Sequence, residues 1–249
     1  MEEKEKVGEF EIKKIVEELK RIWKENEEGI RERWEYDSLG GLLFFLSLPL
    51  PEVPPSYLEE ISNRFLKEFS WKKFGKYFGE GLGLLLSAFL KKNIEDCVLS
   101  EKKKGIKESQ IEPIKVHLDV EGLPFRLDCL GYENPAELYL IIKGNCGDRI
   151  GYEMEGGKIV IKGNCGESAG ARMQGGKIII KRNCGVSAGE YMQDGELNIK
   201  GEMKSLGKFG LFYPNDGTIV WKKIKIWENG DWTEEGKEMR ERGEIPVSW

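Results

Sequence analysis

The sequence has few of the residues that most often carry chemistry. Among its 249 residues there is one histidine, His117, which excludes any site built from several imidazoles. The five cysteines are odd in number, and none are spaced as CxxC. That pattern implies neither a disulfide framework nor a zinc ribbon, and it is typical of a reducing compartment. We therefore expect a cytoplasmic protein.

Long apolar runs and an excess of one charge are also lacking. The runs at 38–50 and 81–90 are shorter than the roughly 18 residues that a membrane-spanning helix needs. The charged amino terminus has no apolar core of a signal peptide. A net charge of −5, from 39 basic and 44 acidic residues, excludes a strongly basic nucleic-acid protein. We expect neither a membrane nor nucleic acid as partner, and the abundance of lysine and glutamate is typical of thermophilic proteins.

The first hundred residues are predicted to be mainly helical. Apolar residues recur at helical spacing from residue 10 to about 35, and again from 57 to about 69 and from 82 to about 100. Ser56 is a candidate cap for the second helix. We assign residues 1–105 to a helical amino-terminal domain.

A strand-rich connector is predicted for residues 111–135. It contains two alternating runs, IKVHLDV and LPFRLDCL, that are typical of strands. Beyond it the composition changes, since seventeen of the 31 glycines fall between Gly144 and Gly217.

These glycines belong to an internal repeat. Its three copies, beginning at Asn145, Asn164 and Asn183, read NCGDRIGYEMEGGKIVIK, NCGESAGARMQGGKIIIK and NCGVSAGEYMQDGELNIK. Each neighbouring pair is identical at eleven of eighteen positions, and the period is 19 residues. This period fits one coil of a solenoid and is too short for a propeller blade. We predict a mainly β protein, with a parallel β-helix over 136–225 and a carboxyl-terminal cap over 226–249.

Alternation along the short strands predicts which side chains face the core. Two inward columns are Leu140, Ile159, Ile178 and Leu197, and Ile142, Ile161, Ile180 and Ile199. Met154, Met173 and Met192 recur in register, and we expect them to fill the core. Recurring glycines are expected at corners that need a positive φ or close contact between backbones. A degenerate last coil, with Gly210, Gly217, Ile219 and Trp221, is expected to follow, and tryptophans including Trp249 are expected to cap it.

An apolar stripe and a column of lysines are predicted on the outward side of the same strands. The stripe is Ile141, Val160 and Ile179, and the lysine column is Lys143, Lys162, Lys181 and Lys200. Because an exposed apolar stripe should be covered, we expect the amino-terminal helices or another subunit to lie on it. These seven residues are the predicted partner-binding surface. The lysines alone would suit an acidic surface or a phosphate, or are simply solvated.

The repeated motif G-x-x-M-x-G-G, followed by a short aliphatic strand, resembles the GXGXG domain. That domain ends the large subunit of glutamate synthase and also occurs in one of the subunits of formylmethanofuran dehydrogenase. The passages GARMQGGKIIIKRNCG and GEYMQDGELNIKG carry the resemblance most clearly, and it covers residues 138–223. It implies a right-handed β-helix that holds no cofactor or catalytic residue and contacts the partners that do the chemistry. Because the sequence begins Met1-Glu2 and its cysteines are not grouped, we expect neither an amino-terminal cysteine nucleophile nor an iron–sulfur cluster.

Other features are weaker candidates for chemistry. The ladder Cys146, Cys165 and Cys184 fits packing at a tight corner, or a soft metal ion. The adjacent asparagines are expected to stack at a turn. Gly79, Gly81 and Gly83 do not match the spacing of a nucleotide-binding loop. His117 is expected to be exposed or structural.

Two functional hypotheses follow. The first is a non-catalytic structural or assembly subunit that acts through contact with a protein partner or with its own copies, without a cofactor. Such a protein could be part of an oxidoreductase without being an enzyme by itself. The alternative is a metal-binding or enzymatic protein that uses the cysteine ladder or a cleft between the helices and the solenoid.

Overall fold

Three helices precede the sheet in the computed structural model, which describes residues 9–33, 45–68, 78–207 and 216–247. They are α1 (Glu9–Arg33), α2 (Leu58–Glu68) and α3 (Phe78–Lys103). All three predicted helices are confirmed, and α3 extends beyond both predicted ends. The predicted cap at Ser56 is wrong, because the prolines before α2 start a 3-10 turn at Pro55–Tyr57 that contains this serine. No helix in these ranges is long and apolar enough to span a bilayer.

The described strands form a single sheet in chain order. They are β1 (Ile114–Asp119), β2 (Leu138–Lys143), β3 (Lys158–Ile161), β4 (Lys177–Ile180), β5 (Glu196–Ile199), β6 (Thr218–Trp221), β7 (Ile224–Glu228) and β8 (Asp231–Trp232). The first six pair in parallel, each with the next, and the last two are antiparallel. Since the strands are too short to fold back on themselves, each coil satisfies its backbone on the neighbouring coil. The result is a parallel β-solenoid.

The register confirms the predicted faces. Leu140 pairs with Ile159, then Ile178, then Leu197, and every member of both predicted inward columns is fully buried. The three repeat methionines are buried as well. The degenerate last coil is also in register, because Ile219 and Trp221 pair with Leu197 and Ile199. Gly210 and Trp249 lie outside the described residues.

The solenoid begins one strand earlier than the sequence indicated. β1 lies in the segment predicted as a connector, and it pairs in parallel with β2 over its whole length, from Ile114–Leu138 to Asp119–Lys143. The second predicted strand there, LPFRLDCL, is wrong, since residues 123–130 contain no strand. Its backbone follows the corners of the first coil, as shown by the hydrogen bond from the Cys129 N–H to the Asp148 carbonyl oxygen at 2.8 Å.

Glycine serves two kinds of corner in each coil. Gly157 has φ +68°, a left-handed conformation that its equivalents in the next two coils share. Gly147 instead allows close contact, because a Cβ there would lie 1.6 Å from Asp128 Oδ1. A third set of corners was not predicted, since non-glycine residues hold the left-handed conformation at equivalent positions. They are Cys129, Arg149, Ser168 and Ser187.

Helix α3 covers one side of the first coil. Its residues at spacing four, Gly79, Gly83, Ser87 and Lys91, face the backbone of residues 126–133. A Cβ at Gly83 would lie 1.8 Å from the carbonyl oxygen of Asp128, so only glycine permits this approach. The three glycines near 79–83 are therefore part of helix α3 rather than a nucleotide-binding loop.

The other end of the solenoid is covered by the carboxyl-terminal segment. β7 pairs with β6, and helix α4 (Glu234–Glu241) packs on β7. The Thr233 hydroxyl caps α4 by accepting the Gly236 N–H at 3.1 Å. The ring of Trp227 contacts that of Trp232 edge to face, with centroids 5.4 Å apart.

Candidate functional site

The outward side of strands β2–β6 forms a surface that we call the outer face. Its centre is the column Ile141, Val160, Ile179, Asn198 and Val220, aligned by the parallel register. Val160 is buried, and the other four are partly exposed. The stripe predicted from the sequence is therefore part of a column that runs from β2 to β6. Its members are apolar except for Asn198 on β5.

The predicted lysine column flanks this stripe. Lys162, Lys181 and Lys200 each donate a backbone N–H to the preceding strand, at 2.9, 2.9 and 3.0 Å, which stacks them one coil apart. Their side chains are exposed. On the opposite flank, the ammonium of Lys158 lies 4.7 Å from the centre of the Tyr139 ring. Lysines therefore border the apolar stripe on both flanks.

The lysines of the outer face differ in how far their charge is neutralised. Lys143 is paired twice, with Asp119 at 3.3 Å and with Glu121 at 2.7 Å. Lys177 is paired with Glu196 at 2.6 Å. Within the described parts of the chain, no carboxylate lies within 4 Å of the Lys162, Lys181 or Lys200 ammonium. The neighbouring Lys200 lowers the pKa of Lys181, which is the direction expected for crowded cations.

The described amino-terminal helices do not lie along this stripe, so that half of the prediction is wrong. α2 packs on β1, and α3 packs on residues 126–133 of the first coil. Helix α2 covers the open edge of the sheet instead. Backbone groups of the edge strand β1 that have no strand partner there form hydrogen bonds with side chains of α2. The predicted partner-binding residues are thus brought together on one face, and the helices that the structure describes leave that face uncovered.

The cysteine ladder points into the solenoid. Cys146, Cys165 and Cys184 are buried, and the Cys165 thiol donates to the Gly147 carbonyl oxygen at 3.7 Å. Burial raises the pKa of Cys146 and of Cys184 to about 12, and that of Cys165 well above its ordinary value. Three neutral thiols in an aliphatic interior act as small apolar side chains. Within the described ranges, no group of three or more acidic, cysteine or histidine side chains is arranged to hold a metal ion.

The asparagines beside the cysteines form a ladder, although its hydrogen bonds do not join one side-chain amide to the next. The side-chain oxygen of Asn145 accepts the backbone N–H of Asn164 at 2.8 Å, and the Asn164 oxygen accepts that of Asn183 at 3.0 Å. Each side chain thus fixes the corner of the following coil. His117 is exposed, and its Nδ1 lies 2.8 Å from Glu59 on α2.

Two sets of ion pairs, centred on the buried Glu80 and Lys91, join α3 to the solenoid, and sequence reasoning missed them. Glu80 is almost fully buried and lies 2.7 Å from Arg149, and burial raises the pKa of Glu80. Lys91 lies between Glu133 at 3.1 Å and Glu155 at 3.0 Å. These groups sit on one helix and in the corners of separate coils, so no local motif connects them. The spacing of four between Gly79, Gly83, Ser87 and Lys91 was the available signal.

Comparisons with protein-family models, with curated proteins and with solved structures find no match to this chain.

Proposed function

We propose that this chain is a cytoplasmic, non-catalytic structural or assembly subunit that binds a protein partner through the outer face of its solenoid. The observation that carries the proposal is the combination of a partly exposed apolar stripe with three unneutralised lysines beside it. An apolar centre with a polar rim is the usual composition of a specific protein interface.

The charges indicate what kind of partner fits. Lys162, Lys181 and Lys200 would pair with carboxylates placed at similar spacing on the partner, beside an apolar patch that covers Ile141 and Ile179. Such complementarity guides association and fixes orientation more than it adds affinity. The contact should therefore weaken as salt concentration rises.

A second copy of the chain fits this face less well than a different protein. If two outer faces met, the lysine column of one copy would lie against a surface that carries Lys158, Lys177 or another lysine column. Like charges opposed at an interface are unfavourable. Stacking end to end is also disfavoured, because α2 occupies the edge of β1 and β7 pairs with β6.

The solenoid itself is proposed to be a right-handed β-helix of the GXGXG type. The repeated G-x-x-M-x-G-G motif and the buried methionine of each coil support this assignment. In such an assembly the chain would supply rigid spacing and a docking surface, while its partner would supply the chemistry.

Isolation of the native complex tests the proposal. Tagged wild-type chain is expressed in its native cells and recovered at low salt, and stoichiometric partners are identified by mass spectrometry. The Ile179→Asn variant is compared with it, because Asn198 already holds the same column on β5 and shows that the fold accepts asparagine there. Lys237→Gln, on α4 and away from the outer face, is the matched control.

The expected result is one acidic partner that wild type and Lys237→Gln retain and that Ile179→Asn retains at least tenfold less. High salt should release this partner from wild type. A chain that stays monomeric and brings down nothing stoichiometric would contradict the proposal. If Ile179→Asn recovers as much of the partner as wild type does, the assignment of the outer face as the docking surface is contradicted.

A further inference from the structure

The regular repeat is interrupted at one corner of the first coil. Asp119 pairs with Lys143, and the Leu127 carbonyl oxygen accepts the Gly147 N–H, so these pairs mark equivalent positions. Eight residue steps separate Asp119 from Leu127, whereas four separate Lys143 from Gly147. The first coil therefore carries four extra residues, in a loop between Asp119 and Leu127 that the solenoid itself does not need.

A second departure from the repeat lies three coils away. The position after each lysine of the lysine column is Gly144, Gly163 or Gly201, except in β4's coil, where it is Arg182. Close packing accounts for the glycines, since a Cβ at Gly163 would lie 2.1 Å from the Gly144 carbonyl oxygen. Arg182 is exposed and fills no part of the core. Its presence is not explained by the scaffold.

Both departures meet in one groove. The groove has a volume of about 470 Å³, and its walls include the extra loop and the corners of the following coils. Its cationic residues are Arg126, Lys162 and Arg182. None of the three has a carboxylate within 4 Å in the part of the chain that the structure describes, and the one acid of the groove, Glu121, is engaged by Lys143 at 2.7 Å. The groove thus concentrates positive charge in a chain whose net charge is −5.

We propose that this groove binds a small molecule that carries a phosphate group. Two guanidinium groups and an ammonium suit a phosphate dianion, because the planar guanidinium matches two phosphate oxygens at once. Leu123, Pro124 and Phe125 line the same groove and offer an apolar wall for the rest of the molecule. A volume of this size fits a single small ligand rather than a nucleic-acid chain.

Titration calorimetry on the full chain at low ionic strength tests the proposal, with inorganic phosphate and adenosine 5′-monophosphate as probes and sulfate for comparison. We expect saturable binding of one molecule per chain, with the nucleotide at least as tight as inorganic phosphate. Arg182→Gly restores the glycine of the other coils and is expected to weaken binding about tenfold. Lys237→Gln removes one charge on α4, outside both the groove and the lysine column, and it is expected to change binding less than about twofold.

Arg126→Gln provides a second variant on the opposite wall, and the melting temperature of each variant verifies that it is folded. The proposal is overturned if neither probe saturates, or if the nucleotide fails to bind where inorganic phosphate binds. It is also overturned if Lys237→Gln weakens binding as much as Arg182→Gly, since the effect would then reflect overall charge. Lys162 belongs to both surfaces, but Ile179 does not line the groove and Arg182 is not among the partner-binding residues, so partner recovery by Ile179→Asn and phosphate binding by Arg182→Gly test the two proposals separately.

Discussion

The side-chain amide of Asn63, on α2, donates a hydrogen bond to the backbone carbonyl oxygen of His117, on β1, at 2.6 Å. Its own oxygen accepts the N–H of Asp119 at 2.7 Å, while Glu59 accepts the N–H of His117 at 2.9 Å. Side chains of a helix thus take the place of a neighbouring strand at the open edge of the sheet. This end of the solenoid is thereby blocked for pairing with another chain.

Replacement of this amide should expose the edge. Asn63→Leu has a similar volume but satisfies neither backbone group, so we expect the free energy of unfolding to fall by about 1–3 kcal/mol. Denaturant unfolding measures this change, with Glu60→Gln on the exposed side of α2 as control. Light scattering should also show association that rises with concentration. A variant as stable and as monodisperse as wild type would refute the edge-capping role.

Gly83→Ala should lower the free energy of unfolding, although the same change stabilises an isolated helix. In a free helix, alanine is more favourable than glycine by about 1 kcal/mol. Here the added Cβ would meet the Asp128 carbonyl oxygen at 1.8 Å, so α3 must move away from the first coil. We expect destabilisation of about 1–3 kcal/mol, measured by thermal and denaturant unfolding. Ser100→Ala, exposed near the end of the same helix, is the control, and a stabilising Gly83→Ala would contradict the packing.

Thiol labelling should separate the five cysteines. Cys97 is partly exposed, whereas Cys129 and the three ladder cysteines are buried. Because the thiolate is the reactive form, burial that raises a thiol pKa also suppresses labelling. Iodoacetamide followed by peptide mass spectrometry should modify Cys97 alone in the native protein and all five in guanidinium chloride. Rapid native labelling of Cys165 would show that the ladder is open to solvent.

Stability should fall at high pH in part because of the ladder. The pKa of Cys184 is raised from 9.0 to about 12 by burial, so the folded chain keeps a proton that the unfolded chain loses. Deprotonation above pH 9 therefore favours the unfolded state. One such group contributes a slope of about 1.4 kcal/mol per pH unit between its two pKa values. Unfolding curves of Cys184→Ala should show a smaller decline over this interval, and a decline parallel to wild type would contradict the assignment.

The solenoid was predictable from the sequence because the same packing pattern recurs in every coil. Identical aliphatic positions at a period of 19 residues fix the strands, the register and the inward columns without any long-range information. For the same reason Ile219 could be aligned with Leu197 across an insertion. The outward residues followed from the same alternation.

What could not be predicted depends on contacts between segments that share no pattern. The first coil diverges from the repeat, so β1 was assigned to a connector although it carries the same alternation. Helix α3 meets the coil through Gly83 and Ser87, residues whose small size is meaningful only beside the facing backbone. The groove at Arg182 likewise depends on an inserted loop whose path the sequence does not specify.

The most direct measurement of the central claim is cross-linking mass spectrometry of the native complex with an amine-to-carboxylate reagent. We predict cross-links from Lys162, Lys181 and Lys200 to carboxylates of the partner protein. Lys104, after α3, and Lys237, on α4, are exposed lysines near the two ends of the solenoid and should give none. Cross-links to the partner from those end lysines, with none from the lysine column, would contradict the assignment of the outer face as the docking surface.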